Sequence, residues 1–293
     1  MSEGSSKWRL YLLVVGVYVF WGTNFIISKI LLREMPGLIA ASLRTCIAAA
    51  LMLPVYWWSV RRGAEPVRWR EMPLLAMLGS IGIAVNQVCF LVGIAQTSAG
   101  HAALIIGFTP ILVLLLAATL GQERITWVKL VGLGVAIGGV LLLQRNHEAT
   151  ASSWVGDALM LGAGASFAIF TVFGKRATRL HGAIPIIAFS YLAGSLTLLP
   201  FTWSMLSSFD FAAVTWPAWA AFFYMTVISS TVCYLLFYYA LNRLAASRIS
   251  AFAYLQPLVA TALAVPLLGE PITTAVVGGG GLVLAGVFLT ERG

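Results

Sequence analysis

Amide and aromatic side chains are the groups of this sequence whose types and spacing suit the binding of a small solute. Trp21 and Asn24 are three residues apart, and Asn86 and Phe90 are four apart, so each pair shares one face of a helix. A buried amide is costly unless it is hydrogen-bonded, while aromatic rings supply flat apolar walls. We therefore predict one cavity lined by Trp21, Asn24, Asn86, Phe90, Tyr234, Tyr238, Tyr254 and Gln256. Hydrogen bonding between helices would explain each of these side chains equally well.

Two prolines, Pro110 and Pro257, occupy matching positions in two long apolar segments. Proline has no N–H to give to the carbonyl four residues earlier, so that carbonyl is free to bind a ligand or water. We predict that each proline forms a hinge or part of the same binding site. A kink that serves only packing is the alternative, because prolines are frequent in membrane helices.

Charged and metal-binding side chains are scarce inside the apolar segments. Every Asp and Glu falls at or outside the predicted segment ends, which argues against a proton relay through a buried carboxylate. Cys46, Cys89 and Cys233 show no paired spacing, so neither a disulfide nor a metal site is predicted, and nothing indicates a cofactor. Arg44 lies about 12 Å along its helix, where it could snorkel, bond a carbonyl or attract an anion. His101, at a predicted external turn, is a candidate pH switch.

Long apolar runs must position these side chains. The chain has 293 residues, 60% of them hydrophobic and 10% charged, with a mean hydropathy of +0.93, far above that of a water-soluble domain. Runs of roughly 18 to 24 apolar residues are long enough for α-helices that cross a bilayer, and they lack the alternation of a β-barrel. No cleavage site follows the first run, so we predict that it is retained. We predict an all-α membrane protein with ten transmembrane helices at residues 10–32, 37–60, 72–95, 101–119, 126–143, 154–174, 183–206, 216–241, 247–268 and 272–290.

The basic residues indicate how these helices are oriented. The net charge is +8, but the Lys and Arg residues lie in loops between spans and form no aromatic-interleaved patch. No nucleic acid partner is therefore predicted. Most of these residues fall in loops on the same side as the N-terminus, so the positive-inside rule places both termini in the cytoplasm and the lipid bilayer around the spans.

An internal repeat divides the chain into residues 1–146 and 147–293. YLLVVGVYVFWGTNFIISK, ending at Lys29, aligns with DALMLGAGASFAIFTVFGK, ending at Lys175, and Pro110 aligns with Pro257, at offsets of 146 and 147 residues. Each half holds five predicted spans, so the second half must be inverted relative to the first. Two inverted five-helix repeats around a central cavity are the architecture of secondary transporters that work by alternating access.

The whole chain resembles the drug/metabolite transporter superfamily, in particular its ten-helix EamA-type branch. The resemblance rests on WGTNFIISK, LRTCIAA around Arg44, FTPILVLLLA, YLQPLVATALA, and the LGQERIT and LLGEPIT segments. Within the branch, its length, aromatic residues and lack of embedded acids are similar to YddG-type exporters of aromatic and other amino acids. That resemblance implies export from the bacterial cytoplasm across the inner membrane. Arg44 aligns with Tyr191, so a role for this arginine is not duplicated by the repeat.

Several functions remain open at this stage. Amino acid export is the leading hypothesis, and export of cationic or amphipathic drugs or other small metabolites, through cation–π contacts, is its alternative. A membrane-embedded enzyme would need a nucleophile with its base, or clustered metal ligands, and the sequence shows neither. A receptor or scaffold would leave the repeat without an evident use. Glycine-rich faces in the fifth and tenth spans suit packing within a monomer as well as a homodimer, so the oligomeric state stays undecided.

Overall fold

The computed structural model describes residues 3–97, 99–144, 153–268 and 274–293. These residues form helices and short connections, with no β-strand among them. The helices are α1 Glu3–Leu31, α2 Gly37–Arg61, α3 Trp69–Ala95, α4 Ala99–Ile106, α5 Thr109–Thr119, α6 Trp127–Gln144, α7 Trp154–His181, α8 Ala183–Ser208, α9 Trp216–Leu241, α10 Ala246–Ala251, α11 Leu255–Leu268 and α12 Thr274–Arg292.

Six of these helices are long and apolar enough to cross a membrane within the described part of the chain: α1, α2, α3, α7, α8 and α9. Shorter apolar helices include Thr109–Thr119, Trp127–Leu142 and Val277–Thr290. The protein is therefore a multi-pass helical membrane protein, as predicted, whereas the count of ten spans stays a prediction. The proposed repeat boundary at 146/147, residues 270–273 of the LLGEPIT segment and the side chain of His101 lie outside what the structure describes.

The predicted fourth and ninth spans are not continuous α-helices. The fourth separates into α4 and α5 just before Pro110, and the ninth separates into α10 and α11, joined by the 3₁₀ turn Phe252–Tyr254 just before Pro257. Each break follows from the missing N–H of the proline, which prevents the helical bond to the fourth residue before it. Both breaks occur at equivalent positions of the repeat.

Helices α3 and α9 each contain a π-helical segment, Leu78–Val85 and Tyr224–Val232, which the sequence did not predict. The two segments begin 146 residues apart and end 147 residues apart. A π turn is wider than an α turn, so its backbone carbonyls can accept bonds from outside the helix. In α9, Ser229 accepts a bond from the indole of Trp21, and Ser230 accepts one from the hydroxyl of Tyr191.

Two lysines tie the first helix of each half to the end of a helix further along the chain. The ammonium of Lys29 donates to the carbonyls of Ile94 and Thr97 at the end of α3, and that of Lys175 donates to the carbonyl of Leu244 just after α9. Thr97 and Leu244 are equivalent at an offset of 147 residues. A cation suits this place because the last carbonyls of a helix lack partners within it.

The end of the predicted sixth span at residue 174 is wrong, because α7 continues to His181. The predicted span ends just before Lys175, a charged residue that was expected to lie in a loop. In the structure, the side chain of Lys175 is 6% exposed, and its ammonium donates to the carbonyl of Leu244. The helix instead ends at Gly182, whose φ of 80° is a left-handed conformation that glycine adopts without strain.

Helices α6 and α12 pack against each other through glycines at equivalent repeat positions. Gly132 faces Gly286, while Gly139 faces Gly279, so the order of contacts is reversed and the helices are antiparallel. Gly132 corresponds to Gly279 and Gly139 to Gly286 at an offset of 147 residues. The contact is therefore reciprocal, as it is between two bodies related by a two-fold axis. Small residues allow such close approach of membrane helices.

The carboxylate of Glu123 joins the loop after α5 to the start of α10. Glu123 accepts bonds from the backbone N–H and hydroxyl of Ser247, and the ammonium of Lys129 lies 3.1 Å from it. Burial raises the pKa of this carboxyl, but the bonds from Ser247 and Lys129 outweigh that effect and hold the pKa below the ordinary glutamate value. The charged form is thus favoured in the folded protein.

We expect Glu123→Gln to lower the free energy of unfolding by roughly 1–3 kcal/mol at neutral pH, the usual range for hydrogen bonds to a charged group. Because the folded-state pKa is depressed, this stabilisation is complete above the unfolded-state pKa and is lost as the pH falls through the folded-state pKa. Unfolding curves of the purified protein at several pH values measure it. The difference from wild type should shrink in acid, whereas Glu65→Gln, at an exposed loop position, should have little effect at any pH.

Candidate functional site

A cavity lies where helices from both halves meet. It leaves about 80 Å³ for the centres of water-sized molecules, several times what a single water needs. The side chains around it come from α1, α2, α3, α5, α7, α9 and the breaks before Pro110 and Pro257. They belong to Tyr18, Trp21, Asn24, Phe25, Arg44, Asn86, Gln87, Phe90, Ile106, Thr109, Ala163, Gly164, Phe167, Tyr234, Ala253 and Gln256.

Six of the eight predicted site residues line this cavity: Trp21, Asn24, Asn86, Phe90, Tyr234 and Gln256. Tyr238 and Tyr254 do not line it. Both are fully buried, and the hydroxyl of Tyr238 donates to the carbonyl of Phe170 at 2.7 Å. Tyr238 is one turn beyond Tyr234, and that turn of α9 packs against α7 instead of facing the cavity. The contact of Tyr238 and Tyr254 with a solute therefore stays a prediction from the sequence.

The amides of the cavity are used in two ways. Asn86 donates from its side-chain nitrogen to the carbonyl of Ala163 at 2.8 Å, so part of its capacity joins α3 to α7. This is the helix-to-helix bonding that was the alternative reading. In contrast, the side-chain oxygens of Asn24 and Gln256 are buried and have no partner among the described residues. A buried oxygen without a donor is costly. A solute that donates a hydrogen bond to either oxygen would remove that cost.

The breaks before the prolines contribute directly to the cavity wall. Ile106 and Ala253, the residues four positions before Pro110 and Pro257, both line it. Their carbonyls receive no helical bond from the prolines, as predicted from the missing N–H. Thr109, which immediately precedes Pro110, also lines the cavity, and its buried hydroxyl has no partner among the described residues.

Tyr18, Phe25, Gln87, Thr109 and Phe167 line the cavity but were not predicted from the sequence. Three of these had a usable signal. Thr109 and Gln87 occupy the repeat positions of the predicted Gln256 and Tyr234, at an offset of 147 residues, and Phe167 occupies that of the predicted Trp21, at 146. Transferring each predicted residue to the other half would have found all three. Tyr18 and Phe25 offered no comparable signal, because which face of an apolar helix points inward depends on packing.

An aromatic cluster closes one side of the cavity around Trp21. Its ring centroid lies 5.3 Å from that of Tyr18, 5.5 Å from Phe167 and 5.3 Å from Tyr234, in edge-to-face arrangements. The indole N–H donates to the carbonyl of Ser229 at 3.0 Å, in the π segment of α9. The cluster is therefore held by both apolar packing and a hydrogen bond, and it presents ring faces and edges to a solute.

The polar groups of the cavity come mainly from the first half. Asn24, Arg44, Asn86 and Gln87 line it, whereas the equivalent positions of the second half hold Phe170, Tyr191, Cys233 and Tyr234, of which only Tyr234 is among the described lining residues. At the break positions, Thr109 and Gln256 are both polar. The aromatic rings come from both halves: Tyr18, Trp21, Phe25 and Phe90 from the first, and Phe167 and Tyr234 from the second. A lining that combines polar groups with aromatic rings suits a solute with a polar head and an apolar side chain.

Arg44 does not snorkel as one reading of the sequence expected. It is 3% exposed, it lines the cavity, and its Nε donates to the hydroxyl of Ser230. One terminal nitrogen, Nη1, is buried without a partner among the described residues. Tyr191, the repeat equivalent of Arg44, donates to the carbonyl of the same Ser230. The arginine is therefore buried between the two halves of the protein.

A multi-pass helical protein with an internal repeat and a polar and aromatic cavity between its halves belongs to the class of membrane transporters. More particularly, the chain belongs to the EamA-like transporter family, whose sequence profile matches it twice, over residues 8–145 and 154–292. The resemblance to the EamA branch of the drug/metabolite transporter superfamily is confirmed.

Relatives of the chain match almost its full length. A protein of Archaeoglobus fulgidus named an uncharacterized transporter is 31% identical, over 98% of this chain and 99% of that protein. A probable terminal-alkyne amino-acid exporter of Streptantibioticus cattleyicolor is 30% identical, over 100% and 95%. A probable amino-acid metabolite efflux pump of Salmonella typhimurium is 28% identical, over 94% and 93%. A crystal structure with a TM-score of 0.75 and 14% identity covers 97% of this chain and 96% of its own, which shows the fold alone.

Proposed function

We propose that this transporter exports neutral amino acids with aromatic or aliphatic side chains from the cytoplasm by alternating access. The observation that carries the proposal is the combination of unpartnered polar groups and aromatic rings in the cavity lining. The apolar side chain of the solute packs against Trp21, Phe90 and Tyr234. Its polar head meets Asn24, Gln256 and the carbonyl of Ile106, which receives no bond from Pro110.

The same proposal includes ten spans in two inverted five-helix halves. Helices α4 and α5 together make one broken span, as do α10 and α11. Support comes from the reciprocal antiparallel contact of α6 with α12, which inverted halves would produce. Prolines at both breaks would act as hinges when the cavity changes the side to which it opens.

The membrane topology of the proposal agrees with the loops that contact each other. Glu34 accepts bonds from Thr215, and both loops were predicted outside. Glu123 accepts bonds from Ser247, and both loops were predicted inside. Each contact joins two loops that the topology puts on the same side, and the positive-inside rule assigns the side of the N-terminus to the cytoplasm. The proposal places the protein in the bacterial inner membrane on the family resemblance.

Two of the relatives bear names that refer to amino acid export, which agrees with the proposal without setting the solute. Export of cationic drugs is the second candidate, because the aromatic cluster around Trp21 could hold a cation through its ring faces. Competition between amino acids and such cations separates the two candidates.

Uptake of labelled phenylalanine, threonine and methionine into proteoliposomes tests the proposal. We expect saturable uptake above empty vesicles, with Asn24→Ala and Gln256→Ala each lowering uptake at low solute concentration roughly tenfold, since each removes an acceptor that a solute would satisfy. Gln96→Ala is the matched control because this amide is exposed and does not line the cavity, and it should transport normally. Repeating the assay with a pH gradient separates coupled from facilitated transport.

If none of the three amino acids enters above empty vesicles, while gel filtration and orientation assays show folded and inserted protein, amino acid export is contradicted. Uptake that the Asn24 and Gln256 variants both retain at the wild-type rate would instead contradict the assignment of the polar part of the cavity.

A further inference from the structure

We propose that Arg44 binds the carboxylate of the solute and that the cavity selects monocarboxylates with an apolar side chain, whether or not they carry an amino group. This inference rests on the proposed function for its solute, but the carboxylate site is defined by the arginine and its surroundings.

The first argument is the state of the guanidinium. Arginine stays charged in proteins, and a buried charge is costly unless it is paired and hydrogen-bonded. Arg44 is 3% exposed and bonds Ser230 through Nε, while Nη1 has no partner among the described residues. None of the side chains lining the cavity is acidic. A carboxylate arriving in the cavity would supply the missing acceptor and the missing charge.

The second argument is position. Arg44 and its repeat equivalent Tyr191 both bond Ser230, and Trp21 and its equivalent Phe167 have ring centroids 5.5 Å apart. Residues that meet their own equivalents lie close to the axis relating the two halves. For inverted halves this axis runs in the membrane plane, so the arginine is near the middle of the bilayer. There it would meet a solute in the inward-open and outward-open states alike.

The third argument is what holds the arginine in place. Ser230 belongs to the π segment of α9, and it accepts from Arg44 through its hydroxyl and from Tyr191 through its carbonyl. With Nε occupied by Ser230, the guanidinium is oriented and its Nη1 remains for a ligand. A planar guanidinium held in this way suits a carboxylate better than a flexible ammonium would.

The acceptors of the cavity determine how much the amino group matters. The free oxygens of Asn24, Thr109 and Gln256 are neutral, so an ammonium would donate to uncharged acceptors and find no opposite charge among the lining side chains. A carboxylate at Arg44 gains a bond in which both the donor and the acceptor are ionised. Loss of the carboxylate should therefore weaken binding more than loss of the amino group. This ranking is the opposite of what a site for cationic drugs would show.

Binding to the wild-type protein tests the ranking without any substitution. Three ligands share one phenyl side chain: phenylalanine, 3-phenylpropionate, which lacks the amino group, and phenethylamine, which lacks the carboxylate. Binding to purified protein in nanodiscs is measured by calorimetry, and competition is measured against labelled phenylalanine in proteoliposomes. We expect phenethylamine to bind at least roughly tenfold more weakly than 3-phenylpropionate. Equal or stronger binding of phenethylamine would overturn the proposal.

Variants then assign the effect to the arginine. Arg44→Gln should weaken 3-phenylpropionate and phenylalanine by roughly 10- to 100-fold and leave phenethylamine unchanged or stronger, and Arg44→Lys should recover part of the loss. Arg33→Gln, at an exposed position, should behave as wild type. A folded Arg44→Gln protein with wild-type carboxylate affinity contradicts the assignment. If that variant does not fold, the ligand ranking on the wild type still decides.

Inorganic anions provide the remaining arm of the test. If chloride or sulfate displaces 3-phenylpropionate at concentrations where phenylalanine does, the arginine serves a general anion site and the proposal fails. The two proposals also fail separately. Binding of 3-phenylpropionate without uptake of any amino acid contradicts amino acid export alone, whereas amino acid uptake with equal competition by phenethylamine contradicts the carboxylate site alone.

Discussion

Replacing Trp21 with alanine is expected to lower the free energy of unfolding by about 3–5 kcal/mol and to abolish transport, the largest effect of any single cavity substitution. The indole is 8% exposed, packs edge-to-face on three rings of the cavity, and bonds the π segment of α9. Truncation would leave a void between the two halves and a carbonyl of Ser229 without its donor. Both effects act at the centre of the molecule, where neighbouring rings cannot collapse to fill the space.

Thermal or denaturant unfolding in detergent measures the loss, and proteoliposome uptake measures activity. Trp203→Ala is the matched control, since this tryptophan is 69% exposed and its removal should cost little. Trp21→Phe retains the ring packing but not the N–H, so it should recover most of the stability and reveal the contribution of the bond to Ser229. Similar unfolding midpoints for Trp21→Ala and Trp203→Ala would contradict the central role of this residue.

Replacing Gly286 with valine is expected to separate α6 from α12 and to cost about 2 kcal/mol or more. A Cβ at this position would lie 2.6 Å from the Cβ of Ala136 and 2.6 Å from the carbonyl oxygen of Gly132. The oxygen belongs to the backbone, so no side-chain rotation can relieve the clash. The helices would have to move apart, and the close packing on which their contact depends would be lost.

Gly281→Val is the control on the same helix, because nothing lies within 4 Å of a Cβ built there. It should unfold with the wild-type midpoint, whereas Gly286→Val should unfold earlier and yield less monodisperse protein. Gly139→Val should resemble Gly286→Val, since a Cβ there meets the backbone of Gly279 and Val283 at 2.7 Å. Equal stability of the Gly286 and Gly281 variants would refute the reciprocal glycine contact.

The sequence by itself determined the membrane class, the repeat and most helix positions. Apolar runs long enough to cross a bilayer have few other structures open to them, because every backbone polar group in lipid needs an internal partner. The repeat was visible as an offset of 146 to 147 residues, and a helix break lies just before each of Pro110 and Pro257. The family resemblance followed from motifs of the same regions, and it is confirmed.

Only the tertiary structure decided which face of each helix points into the cavity. In a membrane protein both the lipid-facing and the buried faces are apolar, so hydrophobic periodicity does not distinguish them. For this reason Tyr238 was grouped with Tyr234 although it packs against Phe170, while Tyr18 and Phe25 were overlooked. The depth of Arg44 depended in the same way on Ser230 and Tyr191, residues more than 140 positions away in the chain. Distance along one helix could not reveal partners that packing between the two halves brings together.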